Sequence, residues 1–155
     1  MYKNILLVIA LIFLSFASLA DVEKTTLPNK SEKIKTPLEI SGVWARKSMS
    51  SNNNSAAYMK INNVTDKQVT VIGASAPEVA NNVELHKSFV DEKGISRMVA
   101  IDTIVVPANS TIELKQGGIH IMLFDLKENL TDGRKFPLTI KIEDYKPIEV
   151  ESSVQ

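Results

Sequence analysis

The 155-residue chain sets 18 Lys and Arg against 18 Asp and Glu, is 44% hydrophobic and 23% charged, and contains two His and no Cys. This is one globular domain's worth of sequence, without the basic surplus that a nucleic-acid binder needs. The lack of Cys excludes disulfides, a thiol nucleophile, iron–sulfur and zinc-thiolate centres, a blue-copper site and a lipid-bearing N-terminal cysteine, since each requires the sulfur.

Residues 1–20 are predicted to be a secretory signal peptide. Lys3 precedes an apolar stretch from Ile5 to Leu14, and small Ser18 and Ala20 stand at the −3 and −1 positions of a cleavage site. The competing reading, an uncleaved anchor, is short: Ile5 to Ala20 falls below the roughly 20 residues of a spanning helix. Cleavage after Ala20 leaves an exported chain with no stable membrane insertion. Residues 21–37 mix charges, Thr and two Pro without apolar periodicity and read as a flexible leader. The last ten residues, Lys146 to Gln155, read as a frayed tail, so the folded β domain is expected over 38–145.

Within that domain the hydrophobic period is two. Alternating runs are predicted at Leu38–Trp44, Ala56–Asn62, Gln68–Ala74, Val83–Val90, Ile95–Val106, Thr111–Leu114, Ile119–Leu126 and Phe136–Ile142. Turn clusters separate them, among them Asp91–Gly94, Pro107–Asn109, Gln116–Gly118 and Asp132-Gly133. Seven or eight strands at this spacing predict an all-β, antiparallel Greek-key sandwich or barrel.

The two His and two of the Met carry the chemistry. In the run Val83 to Val90 the apolar set is Val83, Leu85 and Phe89, which leaves His86 on the other face with Glu84 and Ser88. In Ile95 to Ile101, Met98 points away from Ile95, Val99 and Ile101. In Ile119 to Leu123, His120 and Met122 share the face opposite Ile119, Ile121 and Leu123. Pairing back from the Asp91–Gly94 turn brings His86 and Met98 within a residue of being cross-strand neighbours. Two imidazoles and two thioethers could therefore converge. Soft thioethers without thiolate or carboxylate suit Cu(I) far better than Zn(II), Mg(II) or Ca(II). Met59 shares its face with Ala57 and Ile61 and is assigned to the core; Met49 lies in a polar loop. A Met in a strand is more often filling than ligand, and periodicity alone does not decide between the two for this set.

The spacing does more. Met98 lies twelve positions after His86, His120 twenty-two further and Met122 two beyond. With Ala57-Tyr58-Met59, Val83-Glu84-Leu85-His86, Arg97-Met98 and Gly117 to Leu123, this pattern resembles the His/Met signature of the PCu(A)C periplasmic copper chaperones over residues 38–143. The resemblance implies a cupredoxin-like β-barrel holding one Cu(I) per chain at an exposed site, with His86, Met98, His120 and Met122 as ligands. It implies a monomer in the periplasm that delivers copper for cytochrome c oxidase assembly, to the oxidase copper subunit or to a Sco-type protein. Lys87 and Gln116 depart from the commoner residues of that pattern, and the tail lacks a His/Met-rich extension. Two other readings are a periplasmic copper buffer or resistance protein with the same ligands, and a metal-free interaction sandwich. No Gly-x-Ser-x-Gly elbow or cofactor fingerprint points to an enzyme.

Overall fold

A computed structural model describes residues 36–48 and 53–155. The expected signal peptide, nearly all of the leader, and Met49 lie outside the described residues. Ten strands follow in chain order: β1 (Leu38–Ala45), β2 (Ser55–Asn63), β3 (Val69–Ser75), β4 (Ala80–Val90), β5 (Ser96–Ala100), β6 (Ile104–Val106), β7 (Thr111–Leu114), β8 (Ile119–Leu126), β9 (Lys135–Ile142) and β10 (Ile148–Val154). They hydrogen-bond in the order β5-β4-β8-β2-β1-β10-β9-β3-β6, and β7 pairs with the far half of β2. One core gathers the inward side chains from both halves of this path, including Val71 of β3, Leu85 of β4, Leu123 of β8 and Ile140 of β9. Removing each large member, such as Phe136, Leu123 or Ile140, from water contributes roughly 1.5–3 kcal/mol. The all-β architecture predicted from the alternation and the cupredoxin-like fold implied by the resemblance are the ones observed, with a single parallel pairing between β1 and β10.

Two features depart from the sequence-based expectation. The tail is no frayed end: Ile148–Val154 is β10, seated between β1 and β9, with Ser152 and Val154 buried. Its run Ile-Glu-Val-Glu-Ser-Ser-Val does alternate, with Ile148, Val150 and Val154 on the inner face and Ser152 the one polar residue among them, and its pairing with β1 and β9 makes it a strand. The run predicted as one strand from Ile95 to Val106 is two, because β5 borders β4 while β6 borders β3, and the chain changes edge at Ile101–Thr103.

A bulge in β1 matters for the site. Ser41 pairs with Lys60 but Trp44 pairs with Tyr58, so β1 has gained a residue at Gly42, whose φ of +60° lies in the left-handed region that glycine tolerates best. Leu38 and Ile40 before the bulge and Val43 and Ala45 after it all pack on the core. Trp44 is thereby turned to the opposite face, where its ring centroid lies 4.4 Å from that of Tyr58.

Candidate metal centre

Three adjacent strands, β5, β4 and β8, place the four predicted ligands on one face. His86 stands directly opposite His120, and Glu84 opposite Met122. On the other side of β4, His86 pairs with Ala100 and Ser88 with Met98. Met98 is therefore the diagonal neighbour of His86, at a spacing of roughly 7–8 Å between backbones, rather than the near-direct partner expected from the turn. The parity that the sequence showed holds against the core for three: the core takes Leu85, Ile121 and Leu123, while His86, His120 and Met122 point the other way. Met98 shares their face through its pairing with Ser88, but Val99 on the other face of β5 is exposed rather than buried.

The site is more covered than the exposed one the resemblance implied. His86, His120 and Met122 are 7%, 5% and 8% exposed, and only Met98 stands open at 50%. The cover is aromatic. Met122 packs with Ala56 and Tyr58 in a small second cluster, flanked by Trp44 and Phe124, separate from the Leu and Ile of the main core. A polarizable thioether beside aromatic rings is a favourable contact in its own right. Met98, His120 and Met122 line a cleft of about 390 Å³, together with Arg46, Tyr58, Ser88, Gly117 and Phe124 among others. His86 lies behind it, its ring centroid 6.0 Å from that of His120 and 5.5 Å from that of Phe124. Two imidazoles on one ion, each nitrogen roughly 2 Å from it, keep their centroids within about 6.5 Å, so the His pair has the spacing of a shared ion.

Hydrogen bonds set which nitrogen each ring offers. His120 Nδ1 lies 3.0 Å from the Gly118 carbonyl oxygen, which can only accept, so Nδ1 carries the hydrogen and Nε2 keeps its lone pair. The same carbonyl accepts from the Ser88 N–H at 2.9 Å, which ties β4 to the approach of β8. That approach is an outward loop: β7 and β8 run in line along β2, and Lys115–Gly118 is pushed out between them, with Gly117 at φ +74°. It is not the hairpin turn that a Gly-Gly pair suggests, but it does set His120 beside the cleft. On His86, Nε2 lies 2.9 Å from Glu84 Oε2, and Nδ1 is buried without a hydrogen-bond partner.

The surrounding charges are ordered as well. Hydrogen bonds from His86 and then Asn82 hold the Glu84 carboxyl below the usual carboxylate range, so it is ionised. Burial raises the Tyr58 phenol, opposed by the positive charge of Arg46, so the aromatic wall stays neutral. Among the described residues no three His, Cys, Asp or Glu side chains cluster as a metal site, and a centre on this face depends on the thioethers.

The sequence reading gives Tyr58, Phe124 and Glu84 no role at the site, although a signal exists. Tyr58 alternates away from Ala57 and Met59, Phe124 lies two residues past Met122, and Glu84 two before His86, all on the site's parity. Trp44 had no such signal, because the Gly42 bulge reverses its face. Met59 is buried in the main core, as assigned.

Comparisons with known proteins bear on the fold and the family. A protein of Rickettsia prowazekii, RP573, is 29% identical over 105 residues, and the "Putative lipoprotein Lxx21020" of Leifsonia xyli subsp. xyli is 29% identical over 107. These matches cover 65% and 69% of this chain but only 57% and 63% of the relatives' own lengths. Among solved structures, the copper-bound PCuAC domain from PmoF2 superposes with a TM-score of 0.65 at 20% identity, over 77% of this chain and 93% of that one. The solution structure of CuI-DR1885 from Deinococcus radiodurans superposes with a TM-score of 0.60 at 27% identity, over 78% and 81%. The likeness to PCu(A)C proteins read from the sequence thus holds in the fold. A family model described as "Putative lipoprotein LpqE-like" matches residues 38–154, β1 through β10, and the chain belongs to that LpqE-like family.

Proposed function

We propose that this protein is an exported copper chaperone that carries one Cu(I) on His86, Met98, His120 and Met122. The observation that carries the reading is the His86–His120 cross-strand pair, with a free nitrogen on each ring and two thioethers on the same face. The PmoF2 domain is copper-bound and the DR1885 structure is that of CuI-DR1885, and this chain shares their fold. Cu(I) has a filled d shell and accepts nitrogen and thioether donors without imposing a geometry, and neither sulfur has to lose a proton to bind.

The cleft supports transfer over storage. At about 390 Å³ it has room for an acceptor's side chain beside the ion, and Arg46 in its lining favours the approach of a thiolate. Met98, the exposed ligand, would leave first; the acceptor's sulfur would take its place, and the two His and Met122 would follow as further acceptor donors replace them. Copper is cargo in this scheme, and no covalent bond within the protein is made or broken. Export follows from the predicted signal peptide and from the lipoprotein names of the family and of one relative, although this chain has no Cys to bear a lipid. The periplasm is the compartment, and the acceptor is the cytochrome c oxidase copper subunit or a Sco-type protein.

Titration with Cu(I) should saturate at one equivalent, and X-ray absorption of the loaded protein should count two nitrogen and two sulfur neighbours. A shell of oxygens, or unchanged binding in both His120→Ala and Met98→Ala, would remove the reading. In a deletion strain, oxidase activity lost only under copper scarcity supports delivery, whereas sensitivity only to excess copper would make the protein a buffer.

A further inference from the structure

On β4 the alternation places Glu84 and His86 two residues apart on the site face, and the carboxylate reaches the ring. Its Oε2 lies 2.9 Å from His86 Nε2, while its Oε1 accepts from Asn82 Nδ2 at 2.7 Å. Both oxygens are therefore engaged and the carboxylate is held from two sides. An ionised carboxylate has no hydrogen to give, so Nε2 must be the donor, and a neutral ring then has its lone pair on Nδ1. That nitrogen is shut away from solvent with no partner among the described residues, in a side chain only 9% exposed. A buried acceptor left empty is destabilising, and one that faces an ion is not.

We propose that Glu84 is a positioning residue that locks His86 in the Nε2–H form and so presents Nδ1 to the copper ion. The facing ring is locked the opposite way by a backbone carbonyl: His120 donates from Nδ1 to Gly118 and offers Nε2. The two histidines thus bind through different nitrogens, each fixed by a different kind of acceptor. Outer acceptors of this sort orient metal-bound imidazoles and raise their basicity. The inference rests on His86 being a ligand, but the tautomer itself is a property of the metal-free protein and can be read without copper.

The test is long-range ¹H–¹⁵N correlation on the metal-free protein at about pH 8, where imidazole is neutral. His86 should show its hydrogen on Nε2 and His120 on Nδ1. Glu84→Ala should let His86 populate both forms and lower Cu(I) affinity roughly 10–100-fold. Glu84→Gln, whose amide oxygen still accepts from Nε2, should restore the single form and most of the affinity. A merely structural role would lower stability in Glu84→Ala without moving the tautomer. The proposal is overturned if His86 carries its hydrogen on Nδ1 in the wild-type protein, a reading that needs no variant to fold, or if its tautomer is the same in Glu84→Ala. Unchanged Cu(I) affinity in His86→Ala would instead overturn the ligand assignment and leave the tautomer result standing.

Discussion

Strands β4 and β8 lie side by side inside the sheet, whereas β5 hangs on its edge, and the proposed ligands are divided between the two settings. His86, His120 and Met122 rise from strands whose opposite faces bury Leu85, Ile121 and Leu123 in the main core. Every residue of β5 is exposed, Met98 included, and Phe89, Val90, Ile95 and Val99 of the same hairpin are open to solvent. Three donors are thus placed by the interior and the fourth by a short edge strand that only β4 supports. In the proposed carrier this division would have a use: the inner residues would define the ion, and the outer one could be exchanged without disturbing the core.

The difference can be broken first in stability. Leu123→Ala should cost about 2–5 kcal/mol in urea unfolding, while Val99→Thr on β5 should stay within about 0.5 kcal/mol. It can then be read in binding. His120→Ala should weaken Cu(I) by more than the roughly 100-fold that bounds the loss of an outer partner, measured by competition with a chelator. Met98→Leu should weaken it only about tenfold, or 1.4 kcal/mol, and do so mostly by faster release. Equal losses in the two variants would erase the distinction between inner and outer donors.

The aromatic wall gives a subtler handle. Gly42 sits in the left-handed region with nothing within 4 Å of where a Cβ would stand, so Gly42→Ala meets backbone strain and no clash. The expected cost is about 1–2 kcal/mol, with a change in Trp44 fluorescence if the bulge relaxes. Smallest is the effect of acid on the β4–β5 hairpin. The Ile95 N–H, the Arg97 side chain and the Lys93 N–H hold the Asp91 carboxyl below its ordinary range. A carboxyl lowered on folding contributes stability above its unfolded value and loses it as pH falls through the folded one. Amide protection at Lys93 and Ile95 should therefore fall below the usual carboxylate range, while protection at Leu123 persists.

The parity of His86, Met98, His120 and Met122 was legible because alternation is a local property of an extended chain, and the spacing that resembles PCu(A)C proteins was legible for the same reason. So were the all-β class and the core placement of Met59. What tertiary structure alone decided depends on partners distant in sequence. The register made His86 face His120, and closure of the β4–β5 turn by Asp91 and Ile95, one residue later than Gly94, set Met98 on the diagonal, since loop length fixes a hairpin's pairing. The Gly42 bulge sent Trp44 to the site, β10 became a strand by lying between β1 and β9, and the contacts of Glu84 and Gly118 assigned a lone pair to each ring. Composition and period determine which residues can share a face; only the folded sheet determines which of them meet, because hydrogen-bond register and burial are set between strands and not along them.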